Sequence, residues 1–202
     1  MIVIADYGVG NLKSVERMLR KAGADARLSS DPGEIREAAK LVLPGVGNFG
    51  HCAAELRAAP FYDTLQWFAL EAKRPVLGIC VGAQLLGHSS DEAEGARGLG
   101  WIDMVCRRFP DRPGLRVPNM GWNTVTPRRP SPLFASLDEE SRFYFVHSYY
   151  FDVADQERVL AVAEYGFPYA CAVNRDNITG VQFHPEKSLR HGLAILKAFA
   201  DS

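Results

Sequence analysis

Cys80, His184 and Glu186 are residue types that make a covalent catalyst, although they stand far apart in the chain. Cys80 lies in Gly78-Ile79-Cys80-Val81-Gly82, the Gly-x-nucleophile-x-Gly pattern of a nucleophile elbow with sulfur in place of oxygen. The apolar run Val76–Ile79 behind Pro75 reads as a buried strand, and Val81–Leu86 as a helix. Such a helix turns its amide N–H groups and positive dipole end toward the sulfur and favours the thiolate. Of the five histidines, His51, His88, His147, His184 and His191, His184 has the best surroundings for a base. It follows the apolar strand Ile178–Phe183, Pro185 stiffens the turn after it, and Glu186 is near enough to orient its ring. Thiol, imidazole and carboxylate make a triad by role, whatever their order in the chain.

The chemistry this implies is acyl transfer through a thioester, which needs an oxyanion hole. Pro44-Gly45-Val46-Gly47 offers backbone N–H groups in a glycine-rich loop, and Gln84, one helical turn past Cys80, can bond a polar substrate. Each residue also has a purely structural reading. Cys80 can be a small buried hydrophobe, His184 a strand cap, the loop an ordinary turn and Gln84 a solvated helix residue. Only their occurrence together favours catalysis.

The elements that must position these residues alternate through the first 90 residues. A strand at Ile2–Ala5 leads through Asp6–Asn11 to a helix that Asn11 can cap, with Leu12, Val15, Leu19 and Ala22 on one face and a stop at Gly23. A strand follows over Ala24–Ser30, then a short helix opened by Asp31-Pro32 with Ile35 and Ala38 inward, and a strand at Leu41–Leu43. Helices over Cys52–Ala59 and Tyr62–Lys73 precede the Cys80 strand. This alternation predicts an α/β fold, a flavodoxin-like, open, mostly parallel sheet flanked by helices, with ligands at the strands' carboxyl ends. The second half reads as strands over 100–109, 122–126, 142–151, 159–165, 170–174 and 178–183, several of them antiparallel additions to the sheet, closed by a helix over Leu189–Phe199. One domain spanning residues 1–202 is expected.

With a net charge of −1 there is no electrostatic case for nucleic acid or an anionic membrane as partner. No apolar run approaches the roughly 20 residues that span a bilayer, and Met1–Tyr7 reads as a strand and not a signal peptide. The four cysteines show no CxxC pair, so a reducing cytoplasm is expected, with no metal and no cofactor. Gly8-x-Gly10 after the first strand is a weak pointer to a non-catalytic nucleotide-binding module, since Lys13 replaces the third glycine of that fingerprint. A stand-alone cysteine hydrolase is a further alternative.

Taken together these stretches resemble the class I, triad-type glutamine amidotransferases, and within them the glutaminase subunits of imidazole glycerol phosphate synthases. The resemblance runs nearly end to end. It includes Asp6–Leu12, Pro44–Gly47, Gly78–Leu86, Pro118–Asn123, Tyr144–Tyr149 and Gly180–Ser188. It implies that Cys80 attacks the side-chain amide of glutamine, that His184 shuttles the proton and that Glu186 orients it. It implies an oxyanion hole at Val46 and Gly47, and glutamine held by Gly45, Gln84, Ser148 and Tyr149. It also implies a heterodimer in which ammonia passes to a (β/α)8-barrel synthase of histidine biosynthesis, docked over Asn11, Met120, Trp122 and Lys187. The family usually has leucine and methionine at positions 81 and 83, here Val81 and Ala83, and often histidine at Asn119, inside a motif expected at the interface. The stretch Gly98–Asp103 is also similar to relatives that feed ammonia to a surface-sugar amidation enzyme.

Overall fold

The apolar runs of the first half form the centre of a sheet in this computed structural model, which describes residues 1–202. Strands β1 (Ile2–Ala5), β2 (Ala26–Ser29), β3 (Lys40–Gly45) and β4 (Val76–Cys80) run parallel in the order β2-β1-β3-β4. Every residue of β1 and β4 is buried, as parallel strands covered on both faces must be. The connections are α1 (Leu12–Lys21), α2 (Pro32–Glu37), α3 (Phe49–Ala58) and α4 (Tyr62–Gln66). Helix α1 buries Val15 and Leu19, each worth about 1.5–3 kcal/mol once out of water. Asp31 caps α2 by accepting from the Glu34 amide.

The second half contributes β5 (Ser89–Ser90), β6 (Met104–Arg108), β7 (Asn119–Thr124), β8 (Thr126–Pro127), β9 (Arg142–His147), β10 (Tyr149–Val153), β11 (Val159–Glu164), β12 (Pro168–Arg175) and β13 (Ile178–Val181). Strand β13 lies parallel beside β4 in the middle of the sheet, and β12, β10 and β6 continue it with antiparallel pairings. A single-turn helix α5 (Val81–Gln84) follows β4, and α6 (Leu189–Asp201) closes the chain. The expected fold class is therefore observed.

The strand expected over 178–183 ends at Val181 in a bend, the one expected over 122–126 is divided at Val125 between β7 and β8, and three further expectations change. The stretch 142–151 is not one strand. It breaks at Ser148, so that β9 pairs with β7 in a separate two-stranded ribbon while β10 joins the main sheet. The expected helix over Tyr62–Lys73 is α4 followed by a π-helical turn at Trp67–Glu71. The strand expected from Gly100 starts only at Met104, because Trp101–Asp103 form a bend.

Candidate active site

Register brings the site together. Strands β3, β4 and β13 are neighbours, with Gly45 opposite Cys80 and Val181 opposite Ile79, so all three end on one rim. Cys80 turns the chain into α5 with φ 54°, a left-handed conformation that costs a non-glycine residue of order 1–3 kcal/mol. The turn is possible because Gly82 follows it: a Cβ there would lie 2.0 Å from the Leu43 carbonyl oxygen.

His184 stands just past β13, and its Nδ1 lies 2.8 Å from Glu186 Oε1, with the two side chains 2% and 1% exposed. The other side of the ring faces the Cys80 thiol. Burial works against a charged imidazole here, but the Cys80 sulfur and the Glu186 carboxylate outweigh it and raise the His184 pKa to about 10. The imidazolium form of His184 is thereby favoured. His184 is anchored through the main chain. The His184 amide donates to the Tyr144 carbonyl at 2.9 Å, the Tyr144 amide to Ser188 Oγ, and Ser188 Oγ to the His184 carbonyl.

The site opens into a cavity of about 330 Å³ walled in part by Val46, Gly47, Cys80, Gln84, Ser148 and Tyr149, with His184 and Lys187 also on its lining. Gly47 has φ +90°, and neither the Val46 nor the Gly47 N–H donates to any group of the chain. Two free donors beside a nucleophile are what a developing oxyanion requires. The loop is held from behind by Tyr7, whose hydroxyl donates to the Pro44 carbonyl at 2.5 Å, and by Cys52, whose thiol donates to the Val46 carbonyl at 3.3 Å. Gly45, expected to touch glutamine, is not on the cavity wall. It packs against the elbow, where a Cβ would lie 2.5 Å from the Gly82 nitrogen, so its role is to let β3 approach α5.

Gln84 is buried and not solvated. Its Nε2 donates to Gln182 Oε1 at 3.0 Å, and its own Oε1 has no partner. Sequence reasoning passed over two further residues. Glu92 lines the cavity while accepting from the Phe49 amide at 2.7 Å, and no spacing signal links it to Cys80. His147 also lines the cavity, but both its nitrogens are engaged, Nδ1 donating to the Tyr149 carbonyl and Nε2 accepting from Asn119. Burial, offset only in part by the Tyr149 carbonyl, lowers its pKa to about 4, so it is neutral and unfit as the base. His51 pairs with Glu55 and His88 with Asp103, both away from this cavity, and His191 packs against Phe143.

The residues expected at an interface divide. Met120 and Trp122 alternate on one face of β7 and are 62% and 47% exposed. Trp122 packs on Tyr144, and Lys187 lies over the Tyr144 ring at 5.6 Å, so this face is continuous with the cavity mouth. Asn11 does not cap α1 with its side chain; its Nδ2 reaches Glu186 Oε1 at 3.5 Å instead. Asn119 points the other way from Met120, buried against His147 and Tyr169. Its difference from the family's usual histidine therefore lies beneath the cavity wall and not on the exposed face. Among the side chains of the whole chain no cluster of three or more metal-ligating groups occurs, and no helix is long and apolar enough to cross a membrane.

A family model described as glutamine amidotransferase class-I matches residues 3–201. Imidazole glycerol phosphate synthase subunit HisH 2 of Pseudomonas aeruginosa is 46% identical over 202 residues, covering 100% of this chain and 99% of its own. The HisH subunit of Syntrophotalea carbinolica is 47% identical, covering 100% of both chains, and that of Leptospira interrogans 42%, covering 99% of both. Among solved structures, PurLQS of Thermotoga maritima superposes with a TM-score of 0.76 at 16% identity, covering 99% of this chain and 97% of that one. A glutamine amidotransferase crystal structure gives 0.74 at 18%, covering 100% and 98%. At such identities the two structures speak for the fold alone. The family match over almost the whole length, with relatives above 40% identity, settles membership: the chain belongs to the class-I glutamine amidotransferase family.

Proposed function

We propose that this chain is the glutaminase subunit of an imidazole glycerol phosphate synthase and supplies ammonia for histidine biosynthesis. The observation that carries the reading is the buried Cys80–His184–Glu186 constellation facing a glutamine-sized cavity with two free backbone donors. The Cys80 thiolate attacks the side-chain carbonyl carbon of glutamine, and the Val46 and Gly47 N–H groups receive the oxyanion. His184 passes its proton to the leaving nitrogen, so the carbon–nitrogen bond breaks and ammonia departs, leaving a thioester. Water then adds with His184 taking its proton, the carbon–sulfur bond breaks, and glutamate leaves with the thiolate restored. Glu186 keeps the imidazole aligned. Gln84, Ser148 and Tyr149 hold the glutamine, and the Glu92 carboxylate suits its α-ammonium group.

The ammonia passes to a synthase partner, a (β/α)8 barrel, docked over Met120, Trp122 and Lys187 with Asn11 beneath. The relatives' shared name favours the histidine pathway over surface-sugar amidation. A glutaminase that ran without its acceptor would waste nitrogen, and the oxyanion loop offers a means of restraint. One misdirected N–H costs about 10²–10³ in rate. The test is glutamate production by the chain alone, with the synthase subunit, and with that subunit plus its acceptor ligand. A rise of at least about that factor is expected in the last case, and equal rates in all three would favour a stand-alone hydrolase. Cys80→Ala is expected to abolish glutamate production while the complex still turns over with ammonium salts.

A further inference from the structure

Gln182 is fully buried and carries an amide that the triad chemistry does not use. Its place follows from register. Val181 pairs with Ile79, so the next residue on each strand brings Gln182 beside Cys80. Gln182 and Phe183 form the bend that leads from β13 to His184, and Phe183 packs against Phe143 and Phe145. Gln182 Nε2 lies 3.7 Å from Cys80 Sγ, within hydrogen-bonding reach of sulfur, and Gln182 Oε1 accepts from Gln84 Nε2 at 3.0 Å. The Gln84 bond fixes which end of the Gln182 amide faces the sulfur. A fully buried amide is costly unless its hydrogen bonds are met, and here the sulfur meets one of them.

We propose that Gln182 is a second direct partner of the nucleophile beside His184, its side-chain N–H donating to the Cys80 thiolate, with Gln84 as the residue that positions it. The role in turnover rests on the glutaminase reading; the hydrogen bond itself does not. The other titratable groups facing the sulfur are Tyr7 after β1, Cys52 on α3 and Cys106 on β6. Burial pushes all three upward, Cys52 to about 11, so none brings a charge near neutral pH. Lys187 and Glu92 also line the cavity. The side-chain donors left to a thiolate, beside the backbone amides of α5, are the His184 imidazolium and the Gln182 amide. Because the amide carries no proton to transfer, it stays in place through both half-reactions. It steadies the thiolate before attack and again when the thioester's carbon–sulfur bond breaks.

The test is the pH dependence of Cys80 alkylation by iodoacetamide, in which the sulfur–carbon bond forms and iodide leaves, on the full chain without glutamine. The Cys80→Ala chain gives the blank. Hydrogen bonds to charged groups are strong enough that Gln182→Leu should move the alkylation midpoint to higher pH by about one unit or more. With the synthase subunit present, kcat should fall and KM change little. An unmoved midpoint in a folded Gln182→Leu chain would overturn the proposal. If that variant does not fold, the wild-type chain suffices: the Gln182 side-chain amide proton, followed by NMR, should shift as Cys80 titrates, and an unmoved resonance overturns the proposal equally. A shifted midpoint in a chain that never hydrolyses glutamine with its partner would sink the glutaminase reading and leave this hydrogen bond standing.

Discussion

The proposed nucleophile and the proposed base sit on opposite kinds of structure. Cys80 is held by the interior of the parallel sheet, between β3 and β13, where Gly82 touches the Leu43 backbone and nothing has room to move. His184 is tied to Tyr144 on the β7–β9 ribbon, which carries the exposed side chains Met120 and Trp122. One side of the site is fixed by close packing and the other borrows its position from a surface. Interiors resist displacement because every atom has neighbours; a two-stranded ribbon packed through one face and exposed on the other has fewer. On the proposed glutaminase reading, the contrast predicts that control enters through His184 and the cavity wall and that the sulfur stays fixed.

Four experiments can break or sharpen that contrast. The largest effect belongs to the seam itself. His184→Ala in the complex should lower kcat by on the order of 10⁶, and Glu186→Ala by roughly ten- to a hundredfold less, since losing the orienter leaves a misaligned base. Steady-state glutamate production measures both, and equal damage would mean that the carboxylate does more than orient.

On the packed side, Gly82→Ala drives a Cβ into the Leu43 carbonyl, backbone against backbone, and should destabilise the chain by at least about 3 kcal/mol or prevent folding. A urea midpoint near that of wild type would show that the elbow yields more than its packing implies.

Two histidines should write opposite slopes on stability against pH. The pKa of His147 falls on folding from an ordinary value of about 6.5 to about 4, so the unfolded chain binds the proton first. Stability is then full above about pH 6.5 and lost as pH falls toward 4, by on the order of 3 kcal/mol. His184, raised to about 10, contributes in full below about pH 6.5, and its contribution fades as pH rises toward 10. His147→Gln should remove the acid limb alone, and Glu186→Gln should shrink the alkaline one. Urea unfolding from pH 4 to 10 checks both, and an unchanged acid limb in His147→Gln would place its origin elsewhere.

The smallest effect on folding is expected at the exposed face. Trp122→Ala should leave the free energy of unfolding within about 0.5 kcal/mol of wild type while weakening the complex by about 2 kcal/mol. Calorimetric titration with the synthase subunit measures the second quantity. An unchanged affinity would remove Trp122 from the docking face.

Much of this was legible because the decisive signals are local. Buried parallel strands are short apolar runs, so Ile2–Ala5 and Val76–Cys80 declare themselves. The elbow is a five-residue pattern, and His184 and Glu186 are separated by a single proline. What failed depends on pairings between distant residues. The break at Ser148 has no glycine or proline to mark it; it exists because β9 prefers β7 and β10 prefers β6. Gln182 gains its neighbour only through the β4–β13 register, and Glu92 reaches the cavity from a loop with no periodicity. Asn119 is a different case. Alternation along β7 already separates it from Met120 and Trp122, so its inward place was available to a stricter reading.

The bond from the His184 amide to the Tyr144 carbonyl uses no side chain. Its existence therefore does not depend on which amino acids decorate the ribbon. Mutation can rewrite the outer face of β7 residue by residue, acquiring a new shape and charge, and the hinge point of the base is inherited unchanged. A scaffold arranged in this way can exchange one ammonia-using partner for another over evolutionary time without rebuilding the catalyst it carries.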